Sequence, residues 1–209
     1  MRRSKAETTE TIRKLIEIAR IHFTEHGYAN AALESIVHEA NLTRGAVYHH
    51  FRSKKELFRA VLEDVQREVA ERVEGDASTS EDSWQQLYLG CRAFIMAAVE
   101  ESNRRILLID GPAILGWETW REMDKNHSMR LLRAQLDTMQ QQGSFRTLPL
   151  DALTHFVSGG LNETALWLAN ESAQPKALDE TMEVLTVFLE GLKHSTISSS
   201  DASRVNRRG

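Results

Sequence analysis

The stretch from Ala40 to Leu57, ANLTRGAVYHHFRSKKEL, decides the fold of the amino-terminal part of the chain. It reads as the end of one helix, a tight turn, a very short helix and the start of another helix. The short helix has two large apolar side chains, Val47 and Phe51, at i and i+4, so it can pack on a scaffold by one side only. Its arginine, tyrosine and histidines then face outward. This pattern indicates the recognition helix of a helix-turn-helix, which lies in the major groove of DNA.

Cap residues flank the short helix on both sides. Asn41 stands where the preceding helix must end, and Asn tolerates the left-handed backbone of a helix C-cap. Thr43 is expected to cap the short helix through its hydroxyl, and Ser53 followed by Glu56 is a capping box for the next helix. Upstream, an apolar stripe predicts a first helix that ends at Gly27. The sequence therefore predicts the order helix, helix, short helix, long helix.

In order and spacing, this region resembles the amino-terminal domain of TetR-family transcriptional regulators. The resemblance covers the first third of the chain and is carried by Phe23, Gly27, Tyr28, Ile36, residues 43–51, Ser53, Lys54 and Leu57. It implies a DNA-binding domain, a ligand-binding domain and a homodimer held by the last two long helices as a four-helix bundle. One position departs from the family pattern, which has Thr or Ser as a cap and phosphate contact near the start of the second helix. Ala31 and Ala32 stand there, which leaves Asn30 as the candidate cap.

The predicted fold is all-α: an N-terminal three-helix helix-turn-helix domain plus a C-terminal helical ligand-binding and dimerisation domain, with about nine helices. Residues 1–55 form the DNA-binding domain, and a fourth helix at 54–74 connects it to the ligand-binding and dimerisation domain at 75–194. Residues 195–209 are expected to be a disordered tail. The chain has only 3 prolines and no alternating strand pattern.

Three helix boundaries are expected inside the second domain. Ser83 and Asn103 are each expected to cap a helix. The sequence Asp110-Gly111-Pro112 is expected to break the short apolar helix at 106–109.

Charge is divided unevenly along the chain. Residues 1–60 carry 11 Lys and Arg against 7 Asp and Glu, a net charge of +4, whereas the remainder carries −8 and the whole chain −4. Neutralising phosphates requires a local positive surface and not a basic protein. A basic module on an acidic body therefore favours double-stranded DNA as a partner.

The predicted DNA contacts lie in and beside the short helix: Thr43, Arg44, Gly45, Tyr48, His49, His50 and Lys54. Arg44 suits either a guanine edge or a phosphate, and the sequence leaves both open. The resemblance places Tyr48 and His49 at bases or phosphates, whereas Lys54 at a helix N-terminus suits a phosphate. The amino-terminal segment is basic, with Arg2, Arg3 and Lys5. It is expected to form either a flexible arm that contacts DNA or a solvated end.

Two long apolar stripes lie near the carboxyl end of the chain. The first contains Leu153, Phe156, Val157, Gly160, Leu161 and Leu168, and the second Leu178, Met182, Leu185, Phe188, Leu189 and Leu192. One such helix alone would be expected to close the monomer core. The pair favours a homodimer, because a helix-turn-helix protein that reads a palindrome needs two-fold symmetry.

The second domain is expected to bind an unknown small, mainly apolar ligand. The candidate lining residues are Asp110, Trp117, Trp120, His155 and Asn162. Polar groups within apolar stretches can orient a ligand, although helix caps or dimer hydrogen bonds would explain them too. Aromatic residues at helical spacing are more often core than ligand pocket, so the aromatic members carry less weight than the polar ones.

Other classes of function have little support in the sequence. His22 and His26 have the spacing of a two-histidine metal face but no neighbouring third ligand, so neither a metal nor a cofactor is expected. The single cysteine, Cys91, excludes an internal disulfide framework and fits the cytoplasm, and no apolar segment is long enough to cross a membrane. The sequence predicts a non-enzymatic, DNA-binding transcriptional regulator, a ligand-responsive repressor that binds a pseudo-palindromic operator as a homodimer. The alternative is an all-α enzyme or metal-binding protein with an incidental basic segment.

Overall fold

The computed structural model describes residues 5–170 and 174–193. The helices are α1 (Lys5–Asn30), α2 (Leu33–Glu39), α3 (Arg44–His50), α4 (Lys54–Ala77), α5 (Ser83–Val99), α6 (Glu101–Arg104), a π-helical segment (Arg105–Asp110), α7 (Gly111–Leu115), α8 (Trp117–Lys125), α9 (Ser128–Gln141), α10 (Leu150–Asn170) and α11 (Gln174–Leu192). Since α6, the π-helical segment and α7 run on without a break, they form one irregular helix, and this part of the chain holds ten helices.

The all-α prediction is confirmed. Within 5–170 and 174–193 the β pairing is confined to an isolated bridge between Phe145 and Lys193. The predicted tail at 195–209 lies outside the described residues, as do Arg2, Arg3 and the Lys5 side chain.

The amino-terminal helices pack around a cluster of rings. The Phe23 ring lies edge-on to Phe58 of α4 at 5.2 Å, and Tyr28 contacts the same ring at 5.2 Å. Gly27 has φ 73°, a value that favours glycine, so regular helix stops there as predicted before one further turn leads to Asn30. Because Phe58 lies on α4, this core attaches the first three helices to the long connecting helix.

Two predicted caps are wrong. Ala32 stands at the N-cap of α2 without a side-chain hydrogen bond, and the Asn30 amide instead donates to the His26 carbonyl at 3.3 Å. At α5 the cap is Asp82 and not Ser83: the Asp82 carboxylate accepts from a backbone N–H in the first turn at 2.8 Å. Aspartate and serine are both favourable N-cap residues, so the sequence alone does not distinguish Asp82 from Ser83.

The predicted break at Asp110-Gly111-Pro112 is wrong, because the chain stays helical through it. Gly111 allows the close packing there: a Cβ on it would lie 2.8 Å from the Ile106 carbonyl oxygen and 2.9 Å from the Trp120 ring. The Trp120 indole N–H donates to the Leu107 carbonyl at 2.8 Å, satisfying one oxygen of the π-helical segment. Pro112 directly follows the π-helical segment and has no N–H to donate to the carbonyls before it.

Asn103 is not a cap either. It is fully buried within α6, and its side-chain amide donates to the Ala97 carbonyl at 2.9 Å while its oxygen accepts from Arg20 at 2.8 Å. It therefore ties α1 and α5 to the irregular helix.

The second group of helices surrounds the carboxyl half of α4. This helix packs along α1 and α5, and α9 and α10 complete the layer around α5. One continuous apolar core runs from Leu15 in α1 to Leu189 in α11. In the part of the chain that is described, no helix combines the length and apolar character needed to cross a membrane.

Candidate nucleic-acid interface and candidate ligand cavity

The turn between α2 and α3 has a fixed geometry. Asn41 has φ 54°, and its N–H donates to the His38 carbonyl at 3.0 Å while Leu42 N–H donates to Val37 at 3.1 Å. These two bonds pair carbonyls in the last turn of α2, as in a helix C-cap with a left-handed residue. The predicted cap at Asn41 is therefore confirmed. The Thr43 hydroxyl accepts from the Ala46 N–H at 3.2 Å, so the predicted cap of α3 is confirmed as well.

The short helix α3 is held by one side. Val47 is 1% exposed, whereas Tyr48 is 39% exposed. Thr43, Arg44, Gly45 and His49 are exposed as well, and His50 is half-buried. Open space surrounds Gly45, where an added Cβ would meet nothing within 4 Å. The structure thus brings six of the seven predicted DNA contacts onto one outward-facing helix and its cap.

Arg44 is held by two neighbours. Its guanidinium lies 3.1 Å from the Glu34 carboxylate of α2 and 5.5 Å from the centre of the Tyr48 ring. Hydrogen bonding and charge interaction with Tyr48, and then the Glu34 charge, raise the pKa of Arg44. An ion pair this exposed contributes little to stability, so Arg44 can exchange Glu34 for a group on DNA.

Lys54 begins α4 beside this surface. The Ser53 hydroxyl accepts from the Glu56 N–H at 3.2 Å, which confirms that half of the predicted capping box. The Lys54 ammonium lies 4.5 Å from the centre of the Tyr28 ring and 3.4 Å from the Ala29 carbonyl oxygen. Partial burial lowers its pKa, against the opposing charge of Glu34. An ammonium has three N–H donors, so one bond to Ala29 leaves donors for a phosphate.

Two basic residues of this surface were not predicted from the sequence. Arg52 and Lys55 are exposed on either side of the Ser53–Lys54 start of α4. Their signal is positive charge at a helix N-terminus, where backbone N–H groups already favour anions.

Asp110 was predicted to line a ligand pocket, but the structure places it against the amino-terminal helices. Its carboxylate accepts from the Tyr28 N–H at 2.8 Å. Arg105, at the other end of the π-helical segment, donates to the carbonyls of Thr24 and Glu25 at 3.3 and 3.4 Å. These bonds, here called the interdomain contact, join the end of α1 to the π-helical segment.

The other four predicted pocket residues come together. Trp117, Trp120, His155 and Asn162 line an open groove of about 350 Å³ between α8 and α10. Trp120 is buried with its indole N–H already bonded, whereas Trp117 is 62% exposed. The groove is therefore a surface feature, in which the exposed Trp117 ring lies 5.1 Å from the Trp120 ring.

A second cavity, of about 320 Å³, lies in the second domain, opens to solvent beside the exposed Glu74 and Thr138, and was not predicted. It is lined by Val73, Glu74, Ala77, Ser78, Gln86, Leu87, Gly90, Cys91, Phe94, Asp124, Ser128, Met129, Leu131, Leu132, Ala134, Gln135, Thr138, Ser158 and Leu161. Its walls come from α4, α5, α9 and α10 together with the end of α8. A sequence signal for it is the pair of small residues, Gly90 and Cys91, between Leu87 and Phe94 on α5. Burial raises the pKa of the Cys91 thiol to about 12.

A buried ion pair stands at one end of this cavity. The Arg121 guanidinium donates to the Asp124 carboxylate at 2.6 Å and to the Ser158 hydroxyl at 3.1 Å. All three residues are at most 8% exposed. Burial raises the pKa of Asp124, and the charge and hydrogen bond of Arg121 oppose that shift.

The carboxyl-terminal helices carry an exposed apolar face. Phe156, Val184 and Val187 are 68%, 70% and 68% exposed, and Trp167 is 46% exposed. An apolar groove of about 390 Å³ runs between α10 and α11 on this side, with open space above Gly160. By contrast, Leu153, Val157, Leu168, Met182, Leu185 and Leu189 from the two predicted stripes are buried in the monomer. These six stripe residues close the monomer core, whereas Phe156 of the first stripe lies on the exposed face.

The histidine pair of α1 has ordinary partners. His22 lies 2.8 Å from the Glu39 carboxylate of α2, and its ring meets His26 edge-on at 5.9 Å. Across 5–170 and 174–193, no three His, Cys, Asp or Glu side chains converge in a way that could hold a metal ion.

Comparison with known proteins agrees with this architecture. Residues 15–61 match the family model for bacterial regulatory proteins of the tetR family, and residues 84–192 match the tetracyclin repressor-like C-terminal domain. A TetR-family transcriptional regulator from Pectobacterium atrosepticum, known from a crystal structure, is 34% identical with a TM-score of 0.77, over 91% of this chain and 98% of that one.

Curated relatives show two kinds of similarity. The probable acrEF/envCD operon repressor of Escherichia coli K12 is 46% identical over 57 residues, which is 27% of this chain and 26% of that repressor. This chain therefore matches about a quarter of that relative's length. The Transposon Tn10 TetC protein of Escherichia coli is 22% identical over 186 residues, or 88% of this chain and 92% of that protein.

Proposed function

This chain belongs to the TetR family of transcriptional regulators, and from that membership we propose that it is a ligand-responsive repressor that binds a pseudo-palindromic operator as a homodimer. We assign residues 1–55 to DNA binding, 54–74 to the connection, and 75–194 to ligand binding and dimerisation. We place its action in the cytoplasm, in keeping with its single cysteine.

The observation that carries the proposal is the exposed face of α3. A seven-residue helix with one buried anchor, Val47, gains little from its own core packing, and its outward side chains are suited to base edges and phosphates. In this proposal Tyr48 and His49 contact bases or phosphates, Arg44 contacts a guanine or a phosphate, and Gly45 allows close approach of the backbone. Thr43, His50 and Lys54 complete the contact with the DNA backbone.

A second copy of this chain is the proposed occupant of the exposed face of α10 and α11. Four large apolar side chains on one side of two antiparallel helices form a patch of the kind that marks an interface. Packing the same face of a second copy against it gives a four-helix bundle with two-fold symmetry. That symmetry presents two α3 helices to the two halves of a palindrome.

The proposed ligand response acts through α4 and the interdomain contact. Val73 and Glu74 of α4 line the cavity, and the other end of α4 carries Lys54. A ligand that favours one arrangement of these helices would change the separation of the two α3 helices in the dimer. It can shift the equilibrium only by its difference in affinity for the two arrangements, typically about 1–3 kcal/mol.

The test of this function is retardation of duplex DNA selected from a random pool, measured at several salt concentrations. The proposal predicts a selected pseudo-palindrome, with half-sites about one helical turn apart or a multiple of it, and affinity that falls steeply with salt. The alternative from the sequence, an all-α enzyme or metal-binding protein, predicts no sequence-specific retardation. A selection that yields no shared sequence would reject the repressor.

A further inference from the structure

The cavity is elongated along α9. Its lining on this helix runs from Ser128 to Thr138, about 15 Å along the axis. Leucine side chains form the middle of this wall, Leu131 and Leu132 among them. A polar end lies at Asp124 and Ser158, here called the Asp124 end. The opposite polar end contains Gln135, whose amide is already bonded to the side chain of Gln86 at 3.1 Å.

The charges of the lining exclude an anionic ligand. Among the described residues that line the cavity, none is Lys, Arg or His, while Glu74 and Asp124 are acidic. A carboxylate buried beside the Asp124–Arg121 pair would meet no unpaired cation in this lining and would carry the cost of desolvation. A cation is disfavoured too, because the charge of Asp124 is already matched by Arg121 at 2.6 Å and Glu74 is exposed, where water screens its charge. An uncharged ligand avoids both costs.

The Asp124 end presents one acceptor and one donor side by side. A carboxylate bound to an arginine is an acceptor only, and its two oxygens offer about four lone-pair sites, so Asp124 can accept from a ligand as well as from Arg121 and Asn162. The Ser158 oxygen accepts from Arg121 at 3.1 Å, so its own proton is available to a group in the cavity. A single hydroxyl satisfies both neighbours, since it donates to Asp124 and accepts from Ser158. An ether oxygen can satisfy only Ser158.

We therefore infer that the cavity takes an uncharged, elongated, mainly apolar molecule with one terminal hydroxyl, bound at the Asp124 end. This inference rests on the proposed ligand-responsive function and specifies the chemical class of the ligand. It requires no chemical step, because the molecule binds and leaves unchanged.

The experiment compares four probes of nearly equal size with the free, full-length protein. The probes are 1-octanol, heptyl methyl ether, octanoate and octylammonium, and their affinities are measured by titration calorimetry at neutral pH. We expect 1-octanol to bind about tenfold more tightly than the ether, the effect of one hydrogen bond. Octanoate and octylammonium should bind more weakly than the ether. Either ion binding more tightly than 1-octanol overturns the uncharged class, and equal affinity for alcohol and ether overturns the hydroxyl pairing.

Two variants locate the hydroxyl. Ser158→Ala should weaken 1-octanol binding about tenfold. Thr186→Val removes a hydroxyl of α11 that lies outside the cavity and already donates to the Met182 carbonyl at 2.8 Å, and it should leave the affinity unchanged. Both variants should retain the wild-type helical content, measured by circular dichroism. A folded Ser158→Ala variant with wild-type affinity, or an equal loss in Thr186→Val, would refute the Asp124 end as the anchor.

The single cysteine reports occupancy at the same site. Cys91 lines the cavity, so saturating 1-octanol should slow its reaction with methyl methanethiosulfonate at least several-fold, whereas octanoate at the same concentration should not. If none of the probes binds or protects Cys91, the inferred ligand class is wrong, although operator binding can still be found. If 1-octanol binds and protects Cys91 but leaves operator affinity unchanged, the ligand class stands and the proposed ligand response is wrong.

Discussion

Removal of the Asp110 carboxylate should loosen the attachment of the DNA-binding helices. In the structure this carboxylate accepts the Tyr28 N–H at 2.8 Å, directly after the break at Gly27. A hydrogen bond to a charged group contributes about 1.5–3 kcal/mol, and the half-buried position of Asp110 favours the lower part of that range. For a chain of this size, a loss of about 1.5–2 kcal/mol corresponds to a fall in melting temperature of roughly 3–8 °C.

The assay combines calorimetric unfolding with operator affinity for three variants. Asp110→Ala should show the full loss of stability, and Asp110→Asn a smaller one, since a neutral amide oxygen still accepts. Asp76→Ala removes an exposed carboxylate from the end of α4 and serves as the matched control. Operator affinity should fall in the same order, because the interdomain contact fixes the orientation in which α3 meets DNA.

Two results would refute this reasoning. A melting temperature of Asp110→Ala equal to that of Asp76→Ala would show that the bond to Tyr28 contributes nothing to stability. A destabilised Asp110→Ala variant with wild-type operator affinity would show that the interdomain contact does not orient α3.

Three further predictions concern dimerisation, DNA contacts and the buried thiol. Val184→Glu should give monomers in sedimentation at micromolar concentration, because it removes the burial of one valine, about 1.5–3 kcal/mol, and places a charge in the interface. The milder Val187→Ala should remain dimeric. A wild-type monomer with full operator affinity would contradict the proposed interface. Arg44→Ala should weaken operator binding by about 1–3 kcal/mol and reduce the sequence specificity at one base pair, whereas a uniform loss over all sequences would assign Arg44 to a phosphate. Lys54→Ala should reduce the slope of log affinity against log salt concentration by about one unit. Burial raises the pKa of Cys91 to about 12, so Cys91 should react with iodoacetamide at pH 8 at least about tenfold more slowly in the folded than in the unfolded protein, and equal rates would contradict its burial.

Local features of the helix-turn-helix were predictable from the sequence because they depend on neighbours within a few residues. Asn41 ends α2 with a positive φ, and Thr43 and Ser53 cap α3 and α4 through bonds to the third residue on. The same local rules do not separate Ser83 from Asp82, because both are favourable N-cap residues and they are adjacent; the cap is Asp82.

Features formed by distant segments were not predictable in the same way. The helix continues through Gly111 because Trp120 packs on it and bonds to the Leu107 carbonyl, a contact between separate elements. Asp110 bonds to Tyr28, 82 positions earlier, and a local sequence pattern does not reveal such a partner. A polar residue in an apolar stretch then indicates a ligand pocket, which is where Asp110 was wrongly predicted. The cavity depends on how four helices splay apart, which hydrophobic periodicity does not encode.

The apolar stripe of α11 shows the limit of periodicity most clearly. Leu185 and Val184 are adjacent in sequence, yet one is 9% exposed and the other 70%. The sequence identified an apolar helix and favoured an interface. Which side of α11 faces the core and which faces outward followed only from the packing of α10 and α11 on α5.

The most direct test of the central claim is the affinity of Tyr48→Ala and His49→Ala for the selected operator, with His155→Ala, an exposed histidine of α10, as the control. Retardation assays at fixed salt, with circular dichroism to confirm unchanged helical content, give the three affinities on one scale. Both α3 variants should lose operator binding by at least about tenfold, while the control binds like the wild type. Wild-type affinity in both folded α3 variants would contradict the assignment of α3 as the helix that reads DNA.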